Sequence, residues 1–159
     1  MMDAIDAAVG LVEDDPLFAR RRARAEFVTG SEACRHAVLT PADDHGLGPA
    51  LRLALACRIA TLNADAALAA SYRAILADTD ADADTRALAD GASALPSPLS
   101  TIARQADLVT THNPSASQAD IAALVQVGLS NPQIVALSEL IAFVNYQCRV
   151  TAGLRLLKD

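Results

Sequence analysis

Hydrophobic residues recur every three or four positions through most of the chain, which is the spacing of one face of an α-helix. Residues 49–78 show this pattern twice, on either side of a short polar segment at 61–65, and therefore predict two helices joined by a turn. Pro49 suits the first position of the first helix, because the N–H group that it lacks would have no partner there. Asn63 or Asp65 can cap the second helix by accepting backbone N–H bonds.

The second helix of this hairpin is rich in alanine. Alanine has the highest helix propensity and a small side chain, so such a helix can lie close to its neighbours. We therefore expect the core hairpin, residues 49–78, to be the centre of the fold, with the other helices packed around it.

The N-terminal segment, residues 1–45, also predicts helices. A short helix or arm is expected at 3–12, and an Asp-Pro pair favours the start of a helix over 17–28. Gly30 and the serine that follows it are expected to break or kink this helix, which then resumes as far as Leu39.

Further helices are predicted after the hairpin. A short one is expected at 84–90, and another is expected to be capped by Ser97, with a proline just inside it. A third is expected at 117–127, and a capping box opens a long C-terminal helix within 130–157. The sequence thus predicts one all-α domain, residues 1–159, of about six or seven helices.

Composition narrows the classes of function. The chain is 52% hydrophobic, has no Trp and carries a formal charge of −6, so we expect an aliphatic core and no nucleic-acid partner. The N-terminus carries acids through its apolar part and lacks the basic start of a signal peptide. No run approaches the roughly 18 apolar residues that a membrane helix needs. The sequence predicts a cytoplasmic protein that does not enter a membrane.

The long C-terminal helix is apolar on several faces. A helix that is hydrophobic nearly all round is buried on more than one side. We therefore predict a homo-oligomer with this helix at or near the interface.

Within the core hairpin, the segment LALACRIATLNADAALAASY resembles the carboxymuconolactone decarboxylase and alkylhydroperoxidase D-like family. It is similar to that family's apolar helix, Leu-Asn-Gly turn and Cys-x-x-Cys-x-x-x-His helix. The resemblance implies an oligomeric helical bundle and, in the peroxidase branch, a redox pair of cysteines with a His and an upstream Glu as proton relay. Those places are occupied here by Asp65, Leu68 and Tyr72, with Leu53 near the place of the upstream acid. The resemblance therefore implies a member without the dithiol redox centre.

Three interpretations of function follow from these residues. In the first, the chain is a non-catalytic family member that assembles with itself and binds a small organic ligand between helices. In the second, it is a non-redox enzyme of decarboxylase type, in which Arg58 holds a carboxylate and Asp65 or Tyr72 moves a proton. In the third, it is an antioxidant enzyme that uses Cys57. The structural alternatives are that Asp65 is a helix cap, Tyr72 a packing residue and Cys57 a small buried side chain.

No cofactor and no metal site is predicted. Cys34 and His36 would point in nearly opposite directions on a helix, so they are a poor ligand pair. The alternating acids at 78–84 resemble a calcium loop but lack its Gly and final Glu. His45 is expected to be an ordinary loop histidine.

Four arginines crowd the segment after the Asp-Pro pair: Arg20, Arg21, Arg22 and Arg24. They could form a patch for an anion or an acidic partner. We favour a solvated face that is balanced by the neighbouring acids, which are Glu13, Asp14, Asp15 and Glu26.

Overall fold

A computed structural model describes residues 2–158, and in that range all of the regular structure is helical. The α-helices are α1 (Ala4–Val9), α2 (Pro16–Arg22), α3 (Ala25–Leu39), α4 (Pro49–Leu62), α5 (Ala66–Ala77), α6 (Ala83–Ala89), α7 (Leu99–Thr111), α8 (Gln118–Gln126) and α9 (Asn131–Lys158), with a single 3-10 turn at Asn113–Ser115. The all-α class is confirmed. The described chain has nine α-helices rather than six or seven, because several of the short segments also form helices.

Helix α4 lies at the centre of the fold. Every residue from Arg52 to Ala60 is buried, so this helix is enclosed on all sides. Helices α5, α6, α7 and α9 pack around it. The main core is almost wholly aliphatic, with leucine and alanine its most frequent members. The core hairpin, which consists of α4 and α5, therefore lies at the centre of the fold, as the sequence predicts.

A buried arginine fixes the loop that enters α4. The Arg52 side chain donates to the carbonyl oxygens of Leu47 at 2.6 Å, Val38 at 2.7 Å and Asp44 at 3.0 Å. These carbonyls lie at the end of α3 and in the loop after it. Because each would otherwise need another donor, the guanidinium holds the loop against α4 while remaining buried itself.

The break in the N-terminal helical segment differs from the prediction. Helix α2 ends at Arg22 and the backbone leaves helical geometry at Arg24, whereas Gly30 lies inside α3. Arg21 bonds to Asp6 at 2.6 Å, and Arg22 also bonds to Asp6, so the last turn of α2 is held against α1. The chain therefore turns directly after these arginines, and a helical glycine is tolerated at modest cost.

The same contacts correct the prediction of a solvated arginine face. Arg21 pairs with Asp3 at 2.7 Å as well as with Asp6, and both acids are buried. The acids expected to balance the cluster are therefore not the partners of Arg21. Arg24 does pair with Glu26, at 3.1 Å, on the surface.

The predicted helix starts are mostly confirmed. Ser117 and Asp120 form a reciprocal capping box at α8. At α9, the backbone N–H of Ser130 donates to the Gln133 side chain at 2.8 Å. Ser97 does not cap α7: Pro98 precedes its first residue, and no side chain caps the helix there.

Helix α9 has 28 residues and is buried over most of its circumference. One stripe is exposed, on which Val135, Ala142 and Tyr146 lie at helical spacing. Among residues 2–158, no helix combines the length and apolar character needed to cross a bilayer.

Candidate functional site

Asp65 lies where the start of α5 meets the end of α9. Its carboxylate caps α5 by accepting the Leu68 N–H at 3.1 Å. Arg155 binds the same carboxylate with two parallel bonds, of 3.0 and 2.8 Å, and the hydroxyl of Thr151 donates to it as well. The Asp65 side chain is 2% exposed, so the carboxylate is buried, and both of its oxygens accept hydrogen bonds.

These contacts set the protonation of Asp65. Burial is the largest influence and by itself would raise the pKa of the carboxyl. The bonds from Arg155, Thr151 and the Leu68 N–H outweigh it, and together they hold the pKa of Asp65 below its ordinary value of 3.8. Asp65 is therefore a stable carboxylate at neutral pH, which is a poor state for a general acid.

Tyr72 lies two turns further along α5, also facing α9. Its hydroxyl donates to the side-chain carbonyl of Gln147, and both residues are buried. Burial is the main cause that raises the pKa of Tyr72, and the nearby Arg35 guanidinium opposes it. The phenol is therefore neutral at physiological pH, and its proton is engaged by Gln147.

Cys57 is enclosed in the core on α4. Burial raises the pKa of its thiol to about 11, and burial likewise raises the pKa of Cys148 to about 12. Since the thiolate is the reactive form of cysteine, these surroundings oppose redox chemistry at either residue. Cys34 differs, because it is exposed on α3.

Arg58 faces a different part of the molecule, towards α7. Its guanidinium makes two bonds to the Asp107 carboxylate, at 2.6 and 2.7 Å, and one to the Ala92 carbonyl at 3.0 Å. The bonds to Asp107 are the main cause that raises the pKa of Arg58.

Arg58 and Asp107 form part of the wall of a cleft of about 460 Å³ between α7 and the segment after α6. The other polar side chains in the wall are Ser93, Ser100, Arg104, Thr111 and His112. Arg104 is half-exposed and pairs through one nitrogen with Asp120 at 2.9 Å. Its remaining N–H groups are available to a ligand.

The structure thus brings together only two of the four candidate residues. Asp65 and Tyr72 share the contact between α5 and α9, Cys57 is in the core, and Arg58 is in the α7 cleft. The partners on α9, which are Gln147, Thr151 and Arg155, were not predicted from the sequence. Their spacing of four residues is a signal, because it places one polar stripe on a helix that is otherwise predicted to be buried.

No protein-family model matches this chain. No curated protein matches it either.

Proposed function

We propose that this protein is a divergent relative of the alkylhydroperoxidase D-like family that acts without redox chemistry, as a self-associating protein that binds a small organic ligand. The observation that carries this proposal is the Asp65–Arg155 ion pair. It occupies the place that the resemblance gives to the first redox cysteine, and it is buried and fully bonded. A second support is Tyr72, which occupies the histidine place and whose hydroxyl donates a hydrogen bond to the side-chain carbonyl of Gln147.

The backbone of the hairpin turn also fits the resemblance. Ala64 has a φ of 57°, in the left-handed region that favours glycine. The family's Leu-Asn-Gly turn carries glycine at the corresponding place. The turn geometry therefore agrees with the family motif even though the residue differs.

We place the ligand in the α7 cleft, whose wall includes Arg58, Ser93, Ser100, Arg104 and His112. Arg104 offers free guanidinium donors at its rim, and the serine hydroxyls add neutral donors. Guanidinium groups bind carboxylates with short, charge-assisted bonds. We therefore propose a small organic acid as the ligand, with the Arg58–Asp107 pair forming the rigid wall of the cleft.

A titration with benzoate and benzamide tests this assignment, because the two probes share a shape and differ in charge. We expect benzoate to shift the amide NMR signals of α7 and benzamide to leave them nearly unchanged. Arg104→Gln should weaken benzoate binding by about tenfold, which is the scale of one charge-assisted bond. Arg73→Gln is the matched control. Arg73 is a similarly exposed arginine that also pairs with one acid, Asp90 at 3.6 Å, but it lies on α5 and does not line the α7 cleft.

Equal binding of the two probes, or equal weakening by both substitutions, would contradict an anion site in this cleft. Absence of benzoate binding at millimolar concentration would do the same. Rapid peroxide turnover with a thiol reductant would contradict the larger proposal and would favour the enzymatic alternative.

Self-association is supported by the apolar surface that the single chain leaves uncovered. Phe27 on α3 is 55% exposed and Tyr146 on α9 is 43% exposed, and both line a groove between these two helices. Val135 is 56% exposed about three turns before Tyr146 on α9. Exposed apolar side chains that are grouped on adjacent helices are typical of interaction surfaces. We propose that a second copy of the chain covers them.

A further inference from the structure

Asp107 is the acid in the wall of the α7 cleft, and its carboxylate has hydrogen-bonding capacity to spare. Each of its oxygens accepts one bond from Arg58, at 2.6 and 2.7 Å, and no other hydrogen bond reaches them from residues 2–158. A carboxylate offers about four lone-pair positions, so about two remain unused. The Asp107 side chain is 34% exposed and lines the cleft, so a bound molecule can reach it.

Arg104 lies one turn before Asp107 on the same face of α7. Residues three apart on a helix are neighbours, and both of these line the cleft. Even so, no ion pair joins them in the described part of the chain, because the Arg104 guanidinium pairs with Asp120 on α8 at 2.9 Å. The cleft therefore presents a cation with free donors and, one turn further along, a carboxylate with free acceptor positions.

The rest of the cleft suits a small apolar body. Ala92, Ala103 and Leu108 contribute apolar surface to its wall. The volume of about 460 Å³ lies within the usual range of sites for small molecules. A ligand with one ring or a short hydrocarbon segment can therefore span the distance between the two charged groups.

We infer that the ligand of the α7 cleft is a hydroxy acid, whose carboxylate binds Arg104 and whose hydroxyl donates to Asp107. The inference rests on the proposed function and names the class of acid. An acid without a hydroxyl would displace water from Asp107 and leave its free lone pairs without donors, which costs binding free energy. A hydroxyl on the ligand replaces the donor that the water supplied.

The neighbouring charge favours a hydroxyl over an ammonium group as that donor. The Arg58 guanidinium already neutralises Asp107 through two bonds. An ammonium group on the same carboxylate would lie close to Arg58, and like charges at such a separation repel each other. A hydroxyl donates its proton to the hydrogen bond without adding a charge.

A titration with a set of substituted benzoates tests the inference, with the amide NMR signals of α7 locating the binding. The set consists of benzoate, the meta and para isomers of hydroxybenzoate and of methoxybenzoate, and para-(aminomethyl)benzoate. We expect one hydroxybenzoate isomer to bind about tenfold more tightly than benzoate, which is the scale of a hydrogen bond to a charged group. Its methoxy analogue, which has no proton to donate, should bind no more tightly than benzoate.

Three variants separate the roles of the two charged residues. Asp107→Asn removes the charge and one acceptor oxygen, so the advantage of the hydroxyl should fall to about twofold or less. Arg104→Gln should weaken benzoate and hydroxybenzoate by the same factor and leave their ratio unchanged. Asp90→Asn is the matched control, because Asp90 also pairs with an arginine but lies outside the cleft. It should leave both affinities unchanged.

The outcomes separate this inference from the wider proposal. Benzoate binding with no advantage for either hydroxybenzoate, or with an equal advantage for the methoxy analogues, would overturn the hydroxy acid and leave the acid site intact. Tighter binding of para-(aminomethyl)benzoate than of both hydroxybenzoates would overturn it in favour of an amino acid. A full advantage in Asp107→Asn would overturn the role of Asp107. Failure of every benzoate to bind would overturn the proposed acid site as well. Because the comparison of probes uses the wild type, it stands even if Asp107→Asn does not fold.

Discussion

The Asp65 carboxylate and the Arg155 guanidinium form a two-bond ion pair between positions that are 90 residues apart in the chain. Asp65 also caps α5, and Arg155 also donates to the Ala8 carbonyl at 3.1 Å. The pair therefore joins the start of α5, the last turns of α9 and helix α1.

Asp65→Asn tests the stability that this ion pair provides. Asparagine keeps the capping function, so the loss reports mainly on the charge interaction. We expect the free energy of unfolding to fall by about 2 kcal/mol, below the range for fully buried pairs because Arg155 reaches solvent. Urea denaturation measures the change.

The control for that substitution is Asp82→Asn. Asp82 caps α6 through the Thr85 N–H at 2.7 Å and lies exposed at the surface. Asp82→Asn should lower the free energy of unfolding by less than Asp65→Asn does. Equal losses in the two variants would show that Asp65 acts as a cap alone.

The stabilising effect of Asp65 depends on pH in a definite direction. Its pKa is lowered in the folded protein, so its contribution is fully present above the ordinary value of 3.8 and is lost as the pH falls through the lower folded value. The difference in unfolding free energy between the wild type and Asp65→Asn should therefore be constant near neutrality and shrink below about pH 4. The pKa of Asp6 is also lowered, but Asp6 is present in both proteins, so its contribution cancels when their unfolding free energies are subtracted. A difference that grows as the pH falls would contradict the assignment.

Tyr72→Phe tests the hydrogen bond to Gln147. The variant keeps the ring but leaves the buried Gln147 carbonyl without its donor, so we expect a loss of about 1–3 kcal/mol in unfolding free energy. Adding Gln147→Leu removes the unpaired amide and should recover part of that loss. A loss in the double variant equal to the sum of the two single losses would show that the groups are not coupled.

Ala64→Gly should stabilise the protein. The alanine is exposed and held at a φ of 57°, which costs an alanine roughly 1–2 kcal/mol. The greater freedom of glycine in the unfolded chain offsets part of that relief, so we expect a net gain of roughly 0.5 kcal/mol in thermal or urea denaturation.

Ala70→Gly provides the opposite control, because Ala70 is an exposed position inside α5. It should destabilise the protein by about 1 kcal/mol. The same sign of effect at both positions would mean that backbone strain at Ala64 is not the cause.

The three cysteines should differ sharply in reactivity. A maleimide at neutral pH is expected to add once to the folded chain, at Cys34, because Cys57 and Cys148 are buried with pKa values of about 11 and about 12. Mass spectrometry reads the number of additions, and denatured protein should take three. Peroxide oxidation of Cys57 in the folded protein would instead support the antioxidant alternative.

Local sequence signals predicted the helices well. The capping boxes at Ser117 and Ser130 work in the way that their residue types predict, because a cap depends on neighbours within one turn. The end of α2 was misplaced because it depends on Arg21 and Arg22 reaching acids in α1. No local pattern records that contact.

The candidate site was predictable only in part. Asp65 and Tyr72 could be placed on one side of α5 from their spacing, and both do face α9. Their partners on α9 are 75 to 90 residues away, and pairing over that distance depends on how the helices pack. Arg58 illustrates the same limit, since its partner Asp107 is 49 residues away on α7.

The contacts of Arg52 have a consequence for variation in this protein. Its guanidinium binds carbonyl oxygens, which every type of amino acid carries, and not the side chains of the loop. Substitutions in the loop therefore leave the Arg52 bonds themselves intact. Asp43 and Asp44, which accept the N–H groups of His45 and Gly46, and the buried Leu47 are instead constrained by contacts of their own. The length of that connection is what Arg52 constrains, because an inserted or deleted residue would move the carbonyls out of its reach.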